Sequence, residues 1–281
     1  CAIDADTVIN PEALEHLAVP IAEDDTVLAV GGIVRVMNGC VLRRGRVIER
    51  RTPRSLIPAL QEVEYSRAFL FGRLGWNRLG GNIIISGAFG LFRRHSVIDA
   101  GGYTRDTVGE DMELVLRLRR RAFDQHQPHR IIFVPEPIAW TEVPSTITSL
   151  ARQRNRWHRG LAEVLRTHHR AVFRFRYRAM GMFVIPYYLL VELIAPVVEA
   201  LGIVSLVVGL ALHAINLQFA VLFIIVAYGI GLLLTLSALC MEDALDSHTA
   251  RGTDRLVRLG CAVLEQCGYR QLTVLWRIWG L

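Results

Sequence analysis

The sequence predicts an α/β domain followed by α-helical transmembrane segments. The chain has 281 residues, is 52% hydrophobic and yet carries 32 lysine and arginine residues. These features are segregated, because charged residues dominate up to about Arg178 and long apolar runs dominate after it. Before that point, short β-branched runs alternate with helical patterns and glycine loops, as in layered α/β domains. We therefore divide the chain into residues 1–145, 146–180 and 181–281.

Residue types and spacing predict the elements of the first part. Val27–Val36 is β-branched and contains two glycines, which is typical of a buried strand with a tight bend. The further predicted elements are a helix within Arg51–Leu74, a strand, glycine loop and strand within Asn82–Phe92, a helix at Met112–Arg121, and a strand at Arg130–Val134 that ends at Pro135. Strands and helices in this alternation indicate helices packed on a sheet.

An amphipathic helix is predicted at Thr146–Thr167. Its apolar residues recur at three- and four-residue steps, at Ile147, Leu150, Trp157, Leu161, Val164 and Leu165. Nine arginines between Arg152 and Arg178 are typical of a nucleic-acid-binding surface or of the cytoplasmic flank of a membrane span. The apolar run that follows favours the second interpretation. We therefore expect interfacial helices over residues 146–180, contact with membrane lipid and no nucleic acid partner.

Two apolar stretches predict transmembrane helices, near residues 183–212 and 217–240. The second carries no charge and is long enough for a hydrocarbon core of about 30 Å, which needs about 20 residues. Because the arginine-rich segment precedes the first span, the positive-inside rule predicts a multi-pass protein of the inner, or plasma, membrane with a cytoplasmic α/β domain. Residues 256–279 are a third candidate span, or an amphipathic surface helix, because four charged residues interrupt them.

The five cysteines lack the spacing of a metal site. Two or three of them lie in apolar segments. We expect buried or lipid-facing thiols in a reducing compartment, not a disulfide framework.

Asp4 and Asp6 flank one alanine directly after an apolar residue. Two carboxylates at this spacing both reach a hard divalent cation, and Mg2+ or Mn2+ then bridges to phosphate oxygens. The pattern is common by chance, however. The alternative is a solvated turn that caps a helix beginning near Pro11.

Glu110 and Asp111 stand directly before the helix predicted at Met112–Arg121. A carboxylate at a helix N-terminus is usually a cap, which accepts hydrogen bonds from the N–H groups of the first turn. The alternative is a general base, which removes the proton from a hydroxyl group as that group attacks. The sequence pattern leaves both interpretations open.

The segment from Gln153 to Trp157 carries the most specific pattern. Positions i, i+3 and i+4 share one side of a helix, so Gln153, Arg156 and Trp157 are expected to project together, with Arg154 and Asn155 pointing elsewhere. An arginine neutralises a diphosphate through charge-assisted hydrogen bonds, and a tryptophan offers a flat apolar face to a pyranose ring. The alternative is a tryptophan–arginine pair that anchors the helix at the membrane surface.

In combination, these motifs resemble those of the processive family 2 glycosyltransferases, which are the cellulose, chitin, hyaluronan and poly-N-acetylglucosamine synthases. Asp-x-Asp at Asp4, Glu-Asp at Glu110 and Gln-x-x-Arg-Trp at Gln153 occur in that order, directly before membrane spans. The intervening runs Ser86–Arg94 and Gly101–Tyr103 are similar to that family as well. The resemblance covers nearly the whole chain and implies a partial GT-A-like nucleotide-sugar transferase domain followed by transmembrane helices.

The resemblance also implies a role for each matching residue. It implies metal binding by Asp6 and Asp4, base catalysis by Asp111 with Glu110 beside it, donor binding by Asp4, Gln153 and Arg156, and acceptor binding by Trp157, Ser86, Gly87 and Ala88. The donor would be a nucleotide-sugar, such as a UDP-sugar, and the acceptor a growing polysaccharide, another glycan or a lipid-linked saccharide. Transfer would be a single in-line displacement with inversion, in which Mg2+ or Mn2+ and Arg156 stabilise the departing nucleoside diphosphate.

One departure from the family pattern lies at the start of the chain. In the family, a strand and an aspartate that hold the uridine precede the segment beginning at Cys1. We therefore expect an N-terminally truncated chain, which lacks the N-terminal half of its catalytic domain and binds donor poorly by itself. The alternatives are non-processive transfer to a lipid or a single saccharide, an inactive truncated membrane fragment, and a solute transporter, which would leave the α/β domain unexplained.

Overall fold

The computed structural model describes residues 1–245 and 252–281. The strands of these residues are β1 (Ala2–Ile3), β2 (Thr7–Ile9), β3 (Val27–Val36), β4 (Val41–Arg43), β5 (Arg46–Glu49), β6 (Phe89–Phe92) and β7 (Arg130–Thr141). The α-helices are α1 (Ala13–Glu23), α2 (Leu56–Arg67), α3 (Leu74–Arg78), α4 (Arg94–Asp99), α5 (Glu110–Asp124), α6 (Ile147–Thr167), α7 (Ile185–Tyr187), α8 (Ala195–Ala211), α9 (Leu217–Leu245), α10 (Gly252–Leu264) and α11 (Arg270–Ile278). Segments of wider, π-helical geometry extend several of them, at Ala68–Arg73, Met180–Val184, Tyr188–Ile194 and Glu265–Tyr269, and short 3-10 turns lie at His169–Ala171 and Phe175–Tyr177.

Five of the strands form a mixed sheet in the order β1-β6-β3-β7-β2. The central strand β3 pairs in parallel with β7, and the remaining pairs in this sheet are antiparallel. Nearly every residue of β3 is buried, which its continuous β-branched run predicts for a strand covered on both faces. The sheet confirms the expected α/β architecture.

Helices cover both faces of this sheet. On one face, Leu17 of α1 and Leu70 pack against β3 in the largest apolar cluster. On the other face, Val115 of α5 and Ile85 pack against Ala29 and Ile131. Apolar side chains of α1 therefore cover one surface of the sheet and those of α5 cover the other. This packing places α5 beside the loop that precedes β6.

The segment Asn82–Ser86 was expected to be a strand, but it pairs with no strand of the described residues. It runs between the sheet and α5, where side chains satisfy its carbonyl groups. Arg119 donates to the carbonyl of Asn82 at 2.8 Å, and Arg73 donates to that of Ile84 at 3.0 Å. The prediction failed because arginine side chains supply the hydrogen bonds that a neighbouring strand would otherwise supply.

The prediction that a strand ends at Pro135 is also wrong, because β7 continues to Thr141. Gly32 pairs with Val134, and the next residue, Ile33, pairs with Pro137, so the pairing register shifts across the proline. A proline has no N–H to donate and is tolerated where a bulge interrupts the ladder. The sheet therefore extends past the point at which the sequence predicted its end.

Helix predictions agree more closely with the structure. The helix expected within Arg51–Leu74 begins at Leu56, and α5 contains all of Met112–Arg121. The amphipathic helix is α6, and the hydroxyl of Thr146 caps it by accepting from the N–H of Ser149. The five cysteines are free thiols, of which Cys261 is buried.

Two helices are long and apolar enough to cross a membrane, judged by length and composition, at Met180–Ala211 and Leu217–Ala244. We call them the first and second apolar helices. Only a small part of their most apolar stretches is buried, so their side chains are not the core of a soluble domain. The third candidate, residues 256–279, is broken at Cys267 and Gly268, whose φ and ψ angles are not helical. Its two halves pack on α2, α6 and α8.

Candidate active site

Two acidic side chains from distant parts of the chain meet at Gly87. Asp4 follows β1, and its N–H donates to the carbonyl of Ala88 at 3.1 Å. A Cβ atom placed on Gly87 would lie 3.9 Å from Oδ2 of Asp4 and 3.7 Å from Oδ2 of Asp111. The glycine thus leaves the two carboxylates facing the same small space at the loop before β6.

Asp6 and Arg156 act on the Asp4 carboxylate. Partial desolvation raises the pKa of Asp4, the negative charge of Asp6 raises it further, and the positive charge of Arg156 lowers it. Asp6 and Arg156 therefore both contribute to the electrostatic field at the Asp4 carboxylate. Asp4, Asp6 and Arg156 are all solvent-exposed, which leaves them accessible to a ligand.

Asp111 lies in the first turn of α5, where Gly109 is the N-cap residue. Its Oδ1 accepts from the N–H of Met112 at 2.7 Å, and its carboxylate also accepts from the backbone of Gly87. Burial raises its pKa, while these hydrogen bonds and the charge of Arg73 oppose that rise. The carboxylate of Asp111 is therefore held between the helix and the loop with a raised pKa, which suits the general base predicted from the sequence.

Tyr103 lies beside these carboxylates, and the sequence assigned it no role. Burial, followed by the charges of Asp111, Glu110 and Asp4, raises its pKa to about 12. Its ring contacts that of Phe92 edge-on, with centroids 6.4 Å apart. The hydroxyl keeps its proton and is a hydrogen-bond donor at neutral pH. Tyr103 belongs to the family-like run Gly101–Tyr103, but the sequence predicted no hydrogen-bonding role for its hydroxyl.

The residues of the Gln-x-x-Arg-Trp pattern lie on α6. Gln153 is half-buried, and Arg156 and Trp157 are exposed. Arg154 is buried, and its guanidinium lies 4.7 Å from the ring centroid of Trp157, so the prediction that Arg154 points away from Trp157 is wrong. The i, i+3 spacing that relates Gln153 to Arg156 also relates Arg154 to Trp157, so this contact was present in the pattern but was not predicted.

The acceptor residues expected at 86–88 differ in their surroundings. Ser86 and Gly87 are half-buried, and the N–H of Ala88 donates to Oγ of Ser86 at 3.4 Å. Ala88 is buried, and its side chain packs in the apolar cluster against β3. Its carbonyl holds Asp4, so Ala88 shapes the site through its backbone.

Two glycines set the distance between α5 and α6. A Cβ atom on Gly160 would lie 2.8 Å from the backbone nitrogen of Gly109, and one on Gly109 would lie 3.1 Å from the carbonyl oxygen of Gly160. Contacts this short leave no space for a side chain on either residue. The close approach brings the helix of Arg156 against the N-terminus of the helix that carries Asp111.

Asp4 and Asp6 suit a divalent cation by the chemistry of their oxygen ligands. Among the residues that the structure describes, no group of three or more histidine, cysteine, aspartate or glutamate side chains is arranged to hold a metal. Mg2+ is usually bound through one or two carboxylates, with substrate phosphates completing its coordination. The repulsion by which Asp6 raises the pKa of Asp4 is the arrangement that a cation relieves.

A cavity of about 460 Å³ lies between the sheet and α2, behind Tyr65. None of the predicted site residues lines it. Tyr65 lines this cavity, and burial raises its pKa to about 12. The predicted site residues therefore do not form this cavity.

Comparisons with known proteins agree on one family. The family model described as glycosyl transferase family group 2 matches residues 1–236. Poly-beta-1,6-N-acetyl-D-glucosamine synthase of Staphylococcus aureus (strain COL) is 28% identical over 163 residues, which are 58% of this chain and 35% of that protein. The synthase of the same name from Staphylococcus epidermidis is 29% identical over a match of the same extent. The chain thus spans about a third of the length of the curated relatives it matches.

Among solved structures, the mannosyltransferase PcManGT from Pyrobaculum calidifontis, in complex with GDP-Man and Mn2+, matches with a TM-score of 0.47 and 16% identity. The match covers 96% of this chain and 62% of that chain. The motifs around Gly87 and on α6 all lie within residues 1–236, the region that the family model matches. The mixed sheet with its covering helices is the GT-A-like domain that the motifs predicted, and the chain belongs to glycosyl transferase family group 2.

Proposed function

We propose that the protein transfers a sugar, with inversion, from a nucleotide-sugar donor to a growing polysaccharide or another glycan acceptor. The observation that carries this proposal is the meeting of the Asp4 and Asp111 carboxylates at Gly87, and the positive charge of Arg156, which lowers the pKa of Asp4, supports it. An inverting transfer needs a base on one side of the anomeric carbon and positive charge on the other. Membership of the family supports the same reaction.

In the proposed reaction, an acceptor hydroxyl attacks the anomeric carbon as the bond to the nucleoside diphosphate breaks. Asp111 takes the proton of that hydroxyl, and its raised pKa makes it a stronger base than an ordinary aspartate. Arg156 and Gln153 bind the departing diphosphate through charge-assisted and neutral hydrogen bonds. The exposed ring of Trp157 is the floor on which the acceptor sugar lies.

Asp4 and Asp6 are the proposed holders of Mg2+ or Mn2+ on the donor diphosphate. A bound cation neutralises the negative charge that develops on the leaving group. Their exposure and their mutual repulsion support this assignment.

The relatives' name makes UDP-N-acetylglucosamine the first donor to test, and their matching segment supports processive polymer synthesis. Mass spectrometry of the products distinguishes the alternatives. Long chains support polymer synthesis, whereas single additions to a saccharide or lipid support non-processive transfer.

Asp111→Asn tests the reaction. The amide cannot accept the proton, so we expect transfer to fall by at least about 100-fold, within the range that general-base catalysis contributes. Donor binding should survive because the change leaves Arg156 and the Asp4 carboxylate in place. Transfer is measured in membranes from cells that express the gene, and donor binding by titration calorimetry.

Asp106→Asn is the matched control, since Asp106 lies on the exposed loop before α5. It should transfer sugar at the parent rate. Equal activity of Asp111→Asn and the parent protein would remove Asp111 from the mechanism. A parent protein that neither binds nor transfers any nucleotide-sugar would overturn the proposed function.

The two apolar helices support a location in the membrane, with the α/β domain on the cytoplasmic side. We expect the protein to stay in the membrane pellet after washing at alkaline pH and to enter solution only with detergent. Release by the alkaline wash alone would contradict the spanning role of both helices.

A further inference from the structure

Trp157 lies against a buried positive charge. Its side chain is 45% exposed, whereas Arg154 is only 6% exposed. The guanidinium carbon of Arg154 lies 4.7 Å from the centroid of the indole ring. This distance is well within the range in which a cation is attracted to the face of an aromatic ring.

Arg154 is itself held by two residues from other elements. Its Nη2 donates to Oε2 of Glu64 on α2 at 2.7 Å and to the hydroxyl oxygen of Tyr269 at 3.4 Å. The hydroxyl of Tyr269 donates to the same Oε2 of Glu64 at 2.7 Å. The three side chains therefore form a closed triangle of hydrogen bonds, which links α6, α2 and the π-helical segment Glu265–Tyr269.

The shape of an arginine side chain, and not only its charge, suits it to this position. The guanidinium is planar, so one edge pairs with a carboxylate while its face stacks on an aromatic ring. An exposed tryptophan without such support populates several rotamers. A ring that receives a sugar must keep one orientation, because each freely rotating group costs binding free energy when it becomes ordered.

We propose that Arg154 is a positioning residue, which holds the Trp157 ring in the orientation that receives the acceptor sugar and is anchored by Glu64 and Tyr269. The acceptor role of Trp157 rests on the proposed function. The orientation of the ring does not, and it is measurable without any substrate.

The first experiment measures quenching of Trp157 fluorescence by acrylamide in the purified chain in detergent. The Trp157 signal is the difference between each protein and its Trp157→Phe counterpart. Arg154→Lys keeps the charge but removes the planar stack, so we expect quenching of Trp157 to rise about twofold. Tyr269→Phe removes only one hydroxyl and should change quenching in the same direction by a smaller factor.

Arg159→Lys is the matched control, because Arg159 lies on the same helix and pairs with Glu163 on the exposed face at 3.6 Å. It should leave Trp157 quenching unchanged. Unchanged quenching in both Arg154→Lys and Tyr269→Phe would overturn the proposal, as would an equal rise in Arg159→Lys. If Arg154→Lys does not fold, as judged by circular dichroism, Tyr269→Phe decides the outcome alone.

The second experiment separates positioning from a general loss of structure. In sugar transfer, Arg154→Lys should raise the KM for the acceptor about tenfold and leave kcat within about twofold, because the ring acts in acceptor binding. Donor binding should stay at the parent value. Equal loss of donor binding and acceptor binding would indicate a merely structural role and overturn the proposal. If the parent protein transfers no sugar, the proposed function fails, and the quenching result still decides whether Arg154 orients Trp157.

Discussion

At the scale of single residues, the site depends on a position without a side chain. Gly87 lies between the carboxylates of Asp4 and Asp111, and its φ angle is not in the left-handed region. The chain therefore does not need a glycine there for its backbone conformation. In the proposed reaction, the glycine keeps the space between the carboxylates open for the reacting groups of donor and acceptor.

Gly87→Ala tests this reasoning. The new methyl group would lie 3.7 Å or more from its nearest neighbours, which is ordinary contact, so folding should be unchanged. Because the methyl group occupies the reacting space, we expect transfer to fall roughly 100-fold, as for a small displacement of a reacting group. Melting temperature and transfer rate are measured on the same preparation.

Gly75→Ala serves as the control, since Gly75 lies in α3 with no atom within 4 Å of the added methyl. It should keep the parent rate, with a melting temperature equal to or above that of the parent, because alanine favours a helix more than glycine does. An active Gly87→Ala protein would mean that the carboxylates do not share one reacting space.

At the scale of elements, the site depends on how closely α6 approaches the N-terminus of α5. The contact between Gly109 and Gly160 permits this approach. Arg156 precedes Gly160 by four residues, so the two lie one helical turn apart on the same side of α6. The amphipathic pattern of α6 predicts which face is buried, but the pattern contains no information on the interhelical distance. The small residues at the contact determine that distance.

Gly160→Ala should therefore separate the two helices. Its methyl carbon would lie 2.8 Å from a backbone nitrogen, which cannot move aside as a flexible side chain can. Overpacking of this kind costs about 1–3 kcal/mol of unfolding free energy. We expect a lower melting temperature together with weaker donor binding, measured by thermal unfolding and calorimetry.

Gly260→Ala is the comparison, because Gly260 lies in α10 with open space around it. Gly260→Ala should keep or raise the melting temperature, because alanine favours a helix more than glycine does. A Gly160→Ala protein as stable as Gly260→Ala would contradict the close approach of α5 and α6.

At the scale of the whole molecule, a buried ion-pair cluster joins the α/β domain to the second apolar helix. Glu242, near the end of that helix, accepts from Arg50 at 2.7 Å, from Ser66 of α2 at 2.7 Å, and from Arg258 of α10. Arg35 of β3 lies 3.6 Å from the same carboxylate. One side chain thus connects the sheet, α2 and the helices of the C-terminal part.

Removal of the Glu242 carboxylate should lower the free energy of unfolding of the whole protein. Glu242→Ala would remove the carboxylate that Arg50 and Arg258 share, although Arg50 keeps Glu62 and Arg258 keeps Asp243. Removal of one partner of a buried ion pair costs about 3–5 kcal/mol. We expect a marked fall in the melting temperature of the protein in detergent. Asp25→Ala is the control, because Asp25 is fully exposed beside Arg93 and should have no measurable effect. Equal melting temperatures for the two variants would show that the cluster does not couple the domain to the helix.

The sequence predicted the elements whose signals are local. The amphipathic spacing of α6, the Thr146 cap and the uncharged run of the second apolar helix each depend on residues within a few positions of one another. The two wrong assignments concern segments whose hydrogen bonds are made over long distances in the chain. Asn82–Ser86 is satisfied by arginines from other elements, and β7 passes Pro135 because β3 shifts its register.

By itself, the sequence determined the α/β class, the two long apolar helices and the family, because periodicity, composition and short motifs are properties of neighbouring residues. Only the tertiary structure decided that Asp4 and Asp111 meet at Gly87. It also decided that Arg154, which is hydrogen-bonded to Glu64 and Tyr269, lies against the ring of Trp157. Spacing along one helix places side chains on one face. The contacts between α2, α5, α6 and the loop before β6 depend instead on packing across tens to hundreds of residues, for which a single sequence contains no local signal.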